Sequence, residues 1–467
     1  MSLTDLLFLF FFLPLSLAVY YAAPERIREY VLLALSLGFY ALGSPRFFPL
    51  FLAAVAGTVL LGRLLRRAGN AGLRKALLLF GIAGNLGLLL YYKYTDFALA
   101  TWAGVTGRPV ALRGLALPLG VSFFTFKAVS YLVDVSRGAA VLDGPPVHDA
   151  LYLSFFPQLQ SGPLTRYAEM ARPEAAERRV LFTEGVRRFL CGFCKKVLLA
   201  DVLAKIVNEA FSLPTGALSF PLAWLGSVCF SLQLFFDFSG YSDMAIGLSG
   251  MFGYRCAENF RYPYATESVS RFWRRWHITL GAWFRDYVYI PLGGSRRKTG
   301  RVLFNLFVVW VLTGFWHGAA WNFVAWGLGY FVWIALERLT GLPGRLNTGW
   351  GRGLYRVLAL LFINFQWVLF RAESLTASLD FLVRMLMPGT MGLARALFLL
   401  KDYGVFLLAA LLFSTPVVPW LEQKLESRPR ARKAFALAQA VCLAALFVWA
   451  LSFVVAGQNN PFAYANF

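Results

Sequence analysis

Apolar residues are gathered into long runs separated by short polar loops. The runs at 5–22, 30–44, 47–62, 76–92, 115–133, 219–238, 241–253, 302–316, 319–336, 355–371, 403–420 and 434–456 reach or approach the roughly 20 residues that a helix needs to cross hydrocarbon. The pattern predicts an all-α polytopic membrane protein, in which the runs too short to span alone form re-entrant helices. Two further stretches keep a helical stripe with charge beside it. Residues 182–211 carry Val186, Phe189, Leu190, Phe193, Val197 and Leu198 next to Arg187, Arg188, Lys195 and Lys196, as in a basic amphipathic helix lying on the cytoplasmic leaflet. Residues 270–290 carry Trp273, Trp276, Leu280, Phe284 and Tyr287, interrupted by Arg271, Arg274, Arg275, Arg285 and Asp286. Such a helix can dip into a membrane only where protein or water covers its charges.

Composition agrees with lipid as the solvent. Of the 467 residues 58% are hydrophobic and 15% charged, far more apolar surface than a water-soluble fold of this size can hide. The net charge of +21 sits in short loops between apolar runs, where Lys and Arg set orientation; it does not form a nucleic-acid patch. The clusters Arg63, Arg66, Arg67, Arg74, Lys75, then Arg296, Arg297, Lys298, Arg301, then Lys424, Arg428, Arg430, Arg432, Lys433 are expected in the cytoplasm, with both termini outside it. The segment 5–22 lacks the basic flank of a cleaved signal and is expected to stay as the first helix. Five scattered cysteines imply no disulfide framework, and Cys191 and Cys194 read as packing residues. With no transporter-like internal repeat and no linker, residues 1–467 read as one integral domain. Its part at about 115–345 is crowded with Gly, Pro, aromatic and charged residues, so the function is expected there.

Three histidines are present. His148 follows the loop Asp143, Gly144, Pro145, Pro146 and is expected at the surface. His277 stands beside Arg274 and Arg275, whose charge favours a neutral imidazole. His317 lies in VLTGFWHGAAWNF between two apolar helices, where an ionisable side chain is a functional candidate. Its small neighbours Gly314 and Gly318 are expected to let a substrate approach the ring. A neutral imidazole can take a proton from a hydroxyl or thiol as it attacks an acyl carbonyl. Other raw materials are Asp237, Ser239, Tyr241, Ser242 and Asp243, grouped around a glycine break, and Asn322 five residues after His317. No Gly-x-Ser-x-Gly elbow, P-loop or convincing metal-ligand spacing is present, and no metal or bound cofactor is expected.

These motifs make the chain recognisable. LPLGVSFFTF at 117–126, YLVDVSRG at 131–138, FFPQLQSGPLTR at 155–166, FFDFSGYSDMAIGL at 235–248, ENFRYPY at 258–264, FWRRWHITLGAWFRDYVYIPLGG at 272–294, GFWHGAAWNFVAWG at 314–327 and NPFAYANF at the end form an ordered set. The set resembles the membrane-bound O-acyltransferase (MBOAT) family, on its bacterial branch of alginate-acetylating and teichoic-acid D-alanylating proteins. The resemblance implies about eleven spanning helices plus re-entrant ones around a central funnel or tunnel. It also implies that His317, in the Trp316-His317-Gly318 motif, is the catalytic histidine and that His277 is a second functional one. The expected substrate-binding set is Arg274, Arg275, Trp316, Asn322, Asp237, Ser239 and Asp243, with the two arginines attracting donor phosphates. Lys127, just after SFFTF, departs from the family pattern, in which a neutral polar residue or His is expected.

The acyl group, acetyl by resemblance, is expected from a cytoplasmic thioester, acetyl-coenzyme A or an acyl carrier protein. It is expected to reach an extracytoplasmic polysaccharide directly or through a partner O-acetyltransferase, in the bacterial inner membrane. The alternatives are D-alanyl-type transfer to a cell-wall polymer and a transporter or flippase that makes no covalent bond; the missing repeats and the Trp-His-Gly motif favour the enzyme.

Overall fold

A computed structural model describes residues 1–138, 144–170, 174–214, 216–346, 348–389 and 391–462. The last five residues of NPFAYANF and Asp143 therefore lie outside the described residues. Every regular element among those described is helical. Among the described residues seven helices are long and apolar enough to cross a membrane: Pro45–Arg67, Ala71–Thr106, Phe220–Met251, Thr299–His317, Gly349–Arg371, Leu393–Phe413 and Pro429–Val455, with Phe8–Ala22 a shorter apolar one. Their burial differs widely. In Phe220–Met251, 72% of the apolar window is covered by protein, against 11% in Pro429–Val455, so the first is a core helix and the second faces lipid.

Several boundaries move for local reasons. The run at 76–92 belongs to a helix over Ala71–Thr106, opened by Asn70, whose side chain accepts from the Gly72 amide at 2.7 Å, and closed by Gly107 at φ 68°. The run expected to start at 115 becomes helical only at Val121, after an irregular stretch. The expected glycine break between 238 and 241 is absent, because Phe220–Met251 is one continuous helix. Gly240 serves closeness instead: a Cβ there would lie 2.8 Å from the Gly192 carbonyl oxygen. The 182–211 stretch is a helical rod made of Ala175–Cys194, a π-helical turn Lys195–Ala200 and Asp201–Ser212. The 270–290 stretch is not one amphipathic helix but three short pieces, Val269–Trp273, Ile278–Phe284 and Arg285–Tyr289.

The chain forms two compact units. The first takes in Met1–Phe189 and Ser242–Ala257. Its polar heart is the buried Asp149 carboxylate, which accepts from Arg63 (3.1 Å), Arg66 (3.0 Å) and the Tyr167 hydroxyl (2.9 Å). Lys127 is buried here as well, donating to Gln158 Oε1 at 2.9 Å with its ammonium 4.6 Å from the centre of the Tyr152 ring. His148 is half-buried rather than on the surface, since Glu29 and the Tyr167 ring hold it. The second unit comprises Leu190–Tyr241 and the described residues from Glu258 onward. Its centre is the hairpin of Thr299–His317 and Trp321–Thr340, with Gly349–Arg371 packed on the latter.

Candidate functional site

The segment that carries His277 is tied down at its start. Ser268 caps the short helix Val269–Trp273 by accepting from Arg271 N at 3.2 Å. The buried Glu337 carboxylate accepts from the Val269 and Ser270 amides, both at 2.8 Å, and from Tyr355 Oη at 2.7 Å. Three orphan donors of a helix start thus meet side-chain oxygens. The helix then breaks before a second short one begins at Ile278. Arg261 N donates to Arg275 O at 2.9 Å, Ile278 N donates to Asn259 O at 3.0 Å, and between them His277 adopts φ 47° and ψ 52°. A left-handed backbone at a non-glycine residue costs of order 1–3 kcal/mol and persists only where its surroundings enforce it. The clasp with the 258–264 strand of coil is that enforcement.

The His277 ring is buried. Nδ1 lies 3.1 Å from Asn259 Oδ1, and Phe238 packs edge-on at 4.6 Å between ring centres. Burial pushes the imidazole down to about 3, so it is neutral at physiological pH.

His317 ends its helix, just before Gly318, and is also buried. Its ring meets Trp316 (4.9 Å), Trp326 (4.9 Å) and Phe370 (5.2 Å), all at steep angles. Trp316 also packs on His277 at 5.9 Å, so both imidazoles share one indole. The space a side chain would take at the glycines near His317 is filled by Phe323. A Cβ on Gly314 would lie 2.5 Å from Phe323 O and one on Gly318 would strike the Phe323 ring at 2.2 Å, so both positions exist to close the helical hairpin.

The other candidates divide. Asp237 pairs with Lys196 at 2.7 Å, and Lys196 also reaches Asp201 at 2.6 Å, all three nearly fully buried. Asp237 thereby anchors the turn of helix that presents Phe238 to His277. Ser239 is buried in the same turn. Asn322 donates both amide hydrogens to Leu369 O (3.1 Å) and Ala372 O (2.9 Å), which fastens the end of Gly349–Arg371. Asp243 belongs to the first unit and pairs with Arg188 at 2.9 Å. Arg275 donates to Ala265 O, whereas Arg274 is exposed and has no ion-pair partner among the described residues. Asn259, Trp326, Phe370 and Glu337 escape sequence reasoning. Asn259 stood inside ENFRYPY, but one amide in an aperiodic loop carries no signal of its own. Among the described residues no three His, Cys, Asp or Glu side chains gather as a metal site.

Known proteins resemble this chain over most of its length. Residues 119–379 match the model of the membrane-bound O-acyltransferase family. A probable alginate O-acetylase of Azotobacter vinelandii is 42% identical over 383 residues, 79% of this chain and 74% of that protein. A peptidoglycan O-acetyltransferase of Helicobacter pylori is 34% identical over 412 residues, 80% and 78% of the two chains. A teichoic acid D-alanyltransferase of Bacillus subtilis is 31% identical over 231 residues, 46% and 57%. The chain therefore belongs to the membrane-bound O-acyltransferase family and is a multi-pass membrane O-acyltransferase.

Proposed function

We propose that this enzyme takes an acetyl group from a cytoplasmic thioester, acetyl-coenzyme A or an acetylated carrier protein, and delivers it for O-acetylation of an extracytoplasmic polysaccharide. Delivery is direct or through a partner transferase outside a bacterial inner membrane. The observation that carries the reading is the pair of buried imidazoles packed on the single indole of Trp316. Acetyl is favoured over D-alanyl because the relatives named for O-acetylation align along 79% and 80% of the chain, and the named D-alanyltransferase along 46%.

In this mechanism His317 takes the proton of an attacking hydroxyl as its oxygen bonds to the acyl carbon. The carbon–sulfur bond breaks, and the proton passes to the departing thiolate. His277 assists on the donor side, and Arg274 and Arg275 attract the phosphates of the coenzyme or phosphopantetheine.

The test is thioester consumption by the purified protein in nanodiscs with labelled acetyl-coenzyme A. His317→Gln keeps hydrogen-bonding groups but loses basicity, and is expected to fold normally while losing about 10²- to 10⁴-fold in rate. In the same assay Arg274→Ala is expected to raise the donor KM more than it lowers kcat. Transfer by His317→Gln near the parental rate would reduce that residue to packing. Use of a D-alanyl carrier and not of acetyl thioesters would favour the alternative chemistry.

A further inference from the structure

One oxygen in the second unit collects three groups. Asn259 Oδ1 lies 3.3 Å from Thr279 N, 2.9 Å from Thr279 Oγ1 and 3.1 Å from His277 Nδ1. The backbone N–H of Thr279 can only donate, so the atom facing it must be the amide oxygen; a flipped amide would set N–H against N–H. The main chain of Asn259 accepts from Ile278 N, so its own position is fixed from the same segment. An oxygen already accepting from Thr279 can offer His277 Nδ1 only a lone pair. A neutral imidazole that meets a lone pair at Nδ1 must carry its proton there, which leaves the ring's lone pair on Nε2.

We infer that Asn259 is a positioning residue that locks His277 as the Nδ1–H tautomer, so that Nε2 serves as a hydrogen-bond acceptor and proton-taking atom. A substrate group that meets Nε2 must then be a neutral donor, an amide N–H or a hydroxyl, and not the developing oxyanion, which would need a ring N–H. Burial supports the assignment by keeping the imidazole uncharged, since an imidazolium would donate from both nitrogens. The tautomer stands on geometry alone; its consequence for transfer rests on the acyltransferase reading.

With three histidines in the chain, ¹⁵N-histidine labelling of the full-length protein in nanodiscs gives a spectrum simple enough to assign with His277→Gln. The parent is expected to show Nδ1 protonated and Nε2 unprotonated at His277. A spectrum with the proton on Nε2 overturns the proposal, whatever the protein's activity. Asn259→Asp retains the acceptor and is expected to keep the tautomer and most of the transfer. Its added negative charge should raise the imidazole pKa, seen as an upward shift in the pH at which the His277 ¹⁵N resonances titrate; an unmoved titration counts against the contact. Asn259→Leu is expected to mix the tautomers and lower transfer by about 10- to 100-fold, by analogy with metal-bound histidines that lose the group orienting their ring. Adding acetyl-coenzyme A or a polysaccharide fragment separately shows which one donates to Nε2, by the shift of that resonance. If the tautomer is as stated but neither labelled compound is consumed, the acyltransferase reading fails and the assignment of Asn259 survives.

Discussion

Lys196 faces two carboxylates at 2.6 and 2.7 Å in a place water does not reach. Burial works against its charge, and the two anions together outweigh that, holding the ammonium above the ordinary lysine value. Two anions on one cation leave an excess negative charge, and burial pushes Asp201 up to about 7, against the pull of Lys196. The sign of the pH dependence follows. Between the unfolded carboxyl value of 3.8 and about 7 the folded state holds a proton that the unfolded state has lost, so stability declines across that window and levels off above it. Thermal unfolding of Asp201→Asn in detergent is expected to lack that decline and to match or exceed the parent at pH 8. A slope equal to the parent's would exclude Asp201 as the titrating group. Lys196→Met, by contrast, leaves two buried carboxylates without a cation and is expected to cost about 3–5 kcal/mol. From sequence, Lys196 reads as part of an anchoring helix and Asp237 as raw material for a site; what unites them is a contact across 41 positions, which no local pattern carries. His317 is legible because a histidine between apolar runs is rare, and Asn259 is not, because its meaning depends on which oxygen faces Thr279.

Elements tell a similar story through glycine. A glycine in an apolar run reads equally as a break or as a place where another backbone comes close, and only the neighbour decides. Gly240 and Gly314 are both of the second kind. A methyl group on Gly314 would sit 2.5 Å from Phe323 O, against backbone that cannot swing aside, whereas one on Gly300 in the same helix meets nothing within 4 Å. Gly314→Ala is therefore expected to lose about 1–3 kcal/mol and to shift the hairpin that holds His317, with lower Tm and lost transfer. Gly300→Ala is expected to be neutral or slightly stabilising. Equal melting temperatures for the two variants would show that the hairpin tolerates a wider separation. The 270–290 stretch misleads in the opposite way. Its apolar spacing is genuinely helical, yet the backbone of 259–261 pairs with Arg275 and Ile278 on either side of a left-handed His277, so the periodicity survives only in fragments.

For the whole molecule, membrane residence and helical class are plain in the sequence, because hydropathy is summed over many residues and survives local errors. Orientation is a separate matter, set by the loops. The basic clusters at 63–75, 294–301 and 424–433 are expected to place those loops in the cytoplasm. With the chain's own five cysteines replaced, a cysteine at position 298 is expected to resist an impermeant maleimide in intact cells and to react after permeabilisation. Ready reaction in intact cells would invert the topology and, with it, the side from which the donor enters. The aromatic cluster around the two imidazoles has one further consequence, and it is optical. Trp276, Trp326 and Trp367 are fully shielded from water and Trp316 touches both histidine rings. Shielded indoles emit toward the blue, and an indole beside an imidazolium is quenched while one beside a neutral imidazole stays bright. Protonation of either ring is therefore expected to dim the emission contributed by Trp316, read as the difference between the parent and Trp316→Phe among the chain's fourteen tryptophans.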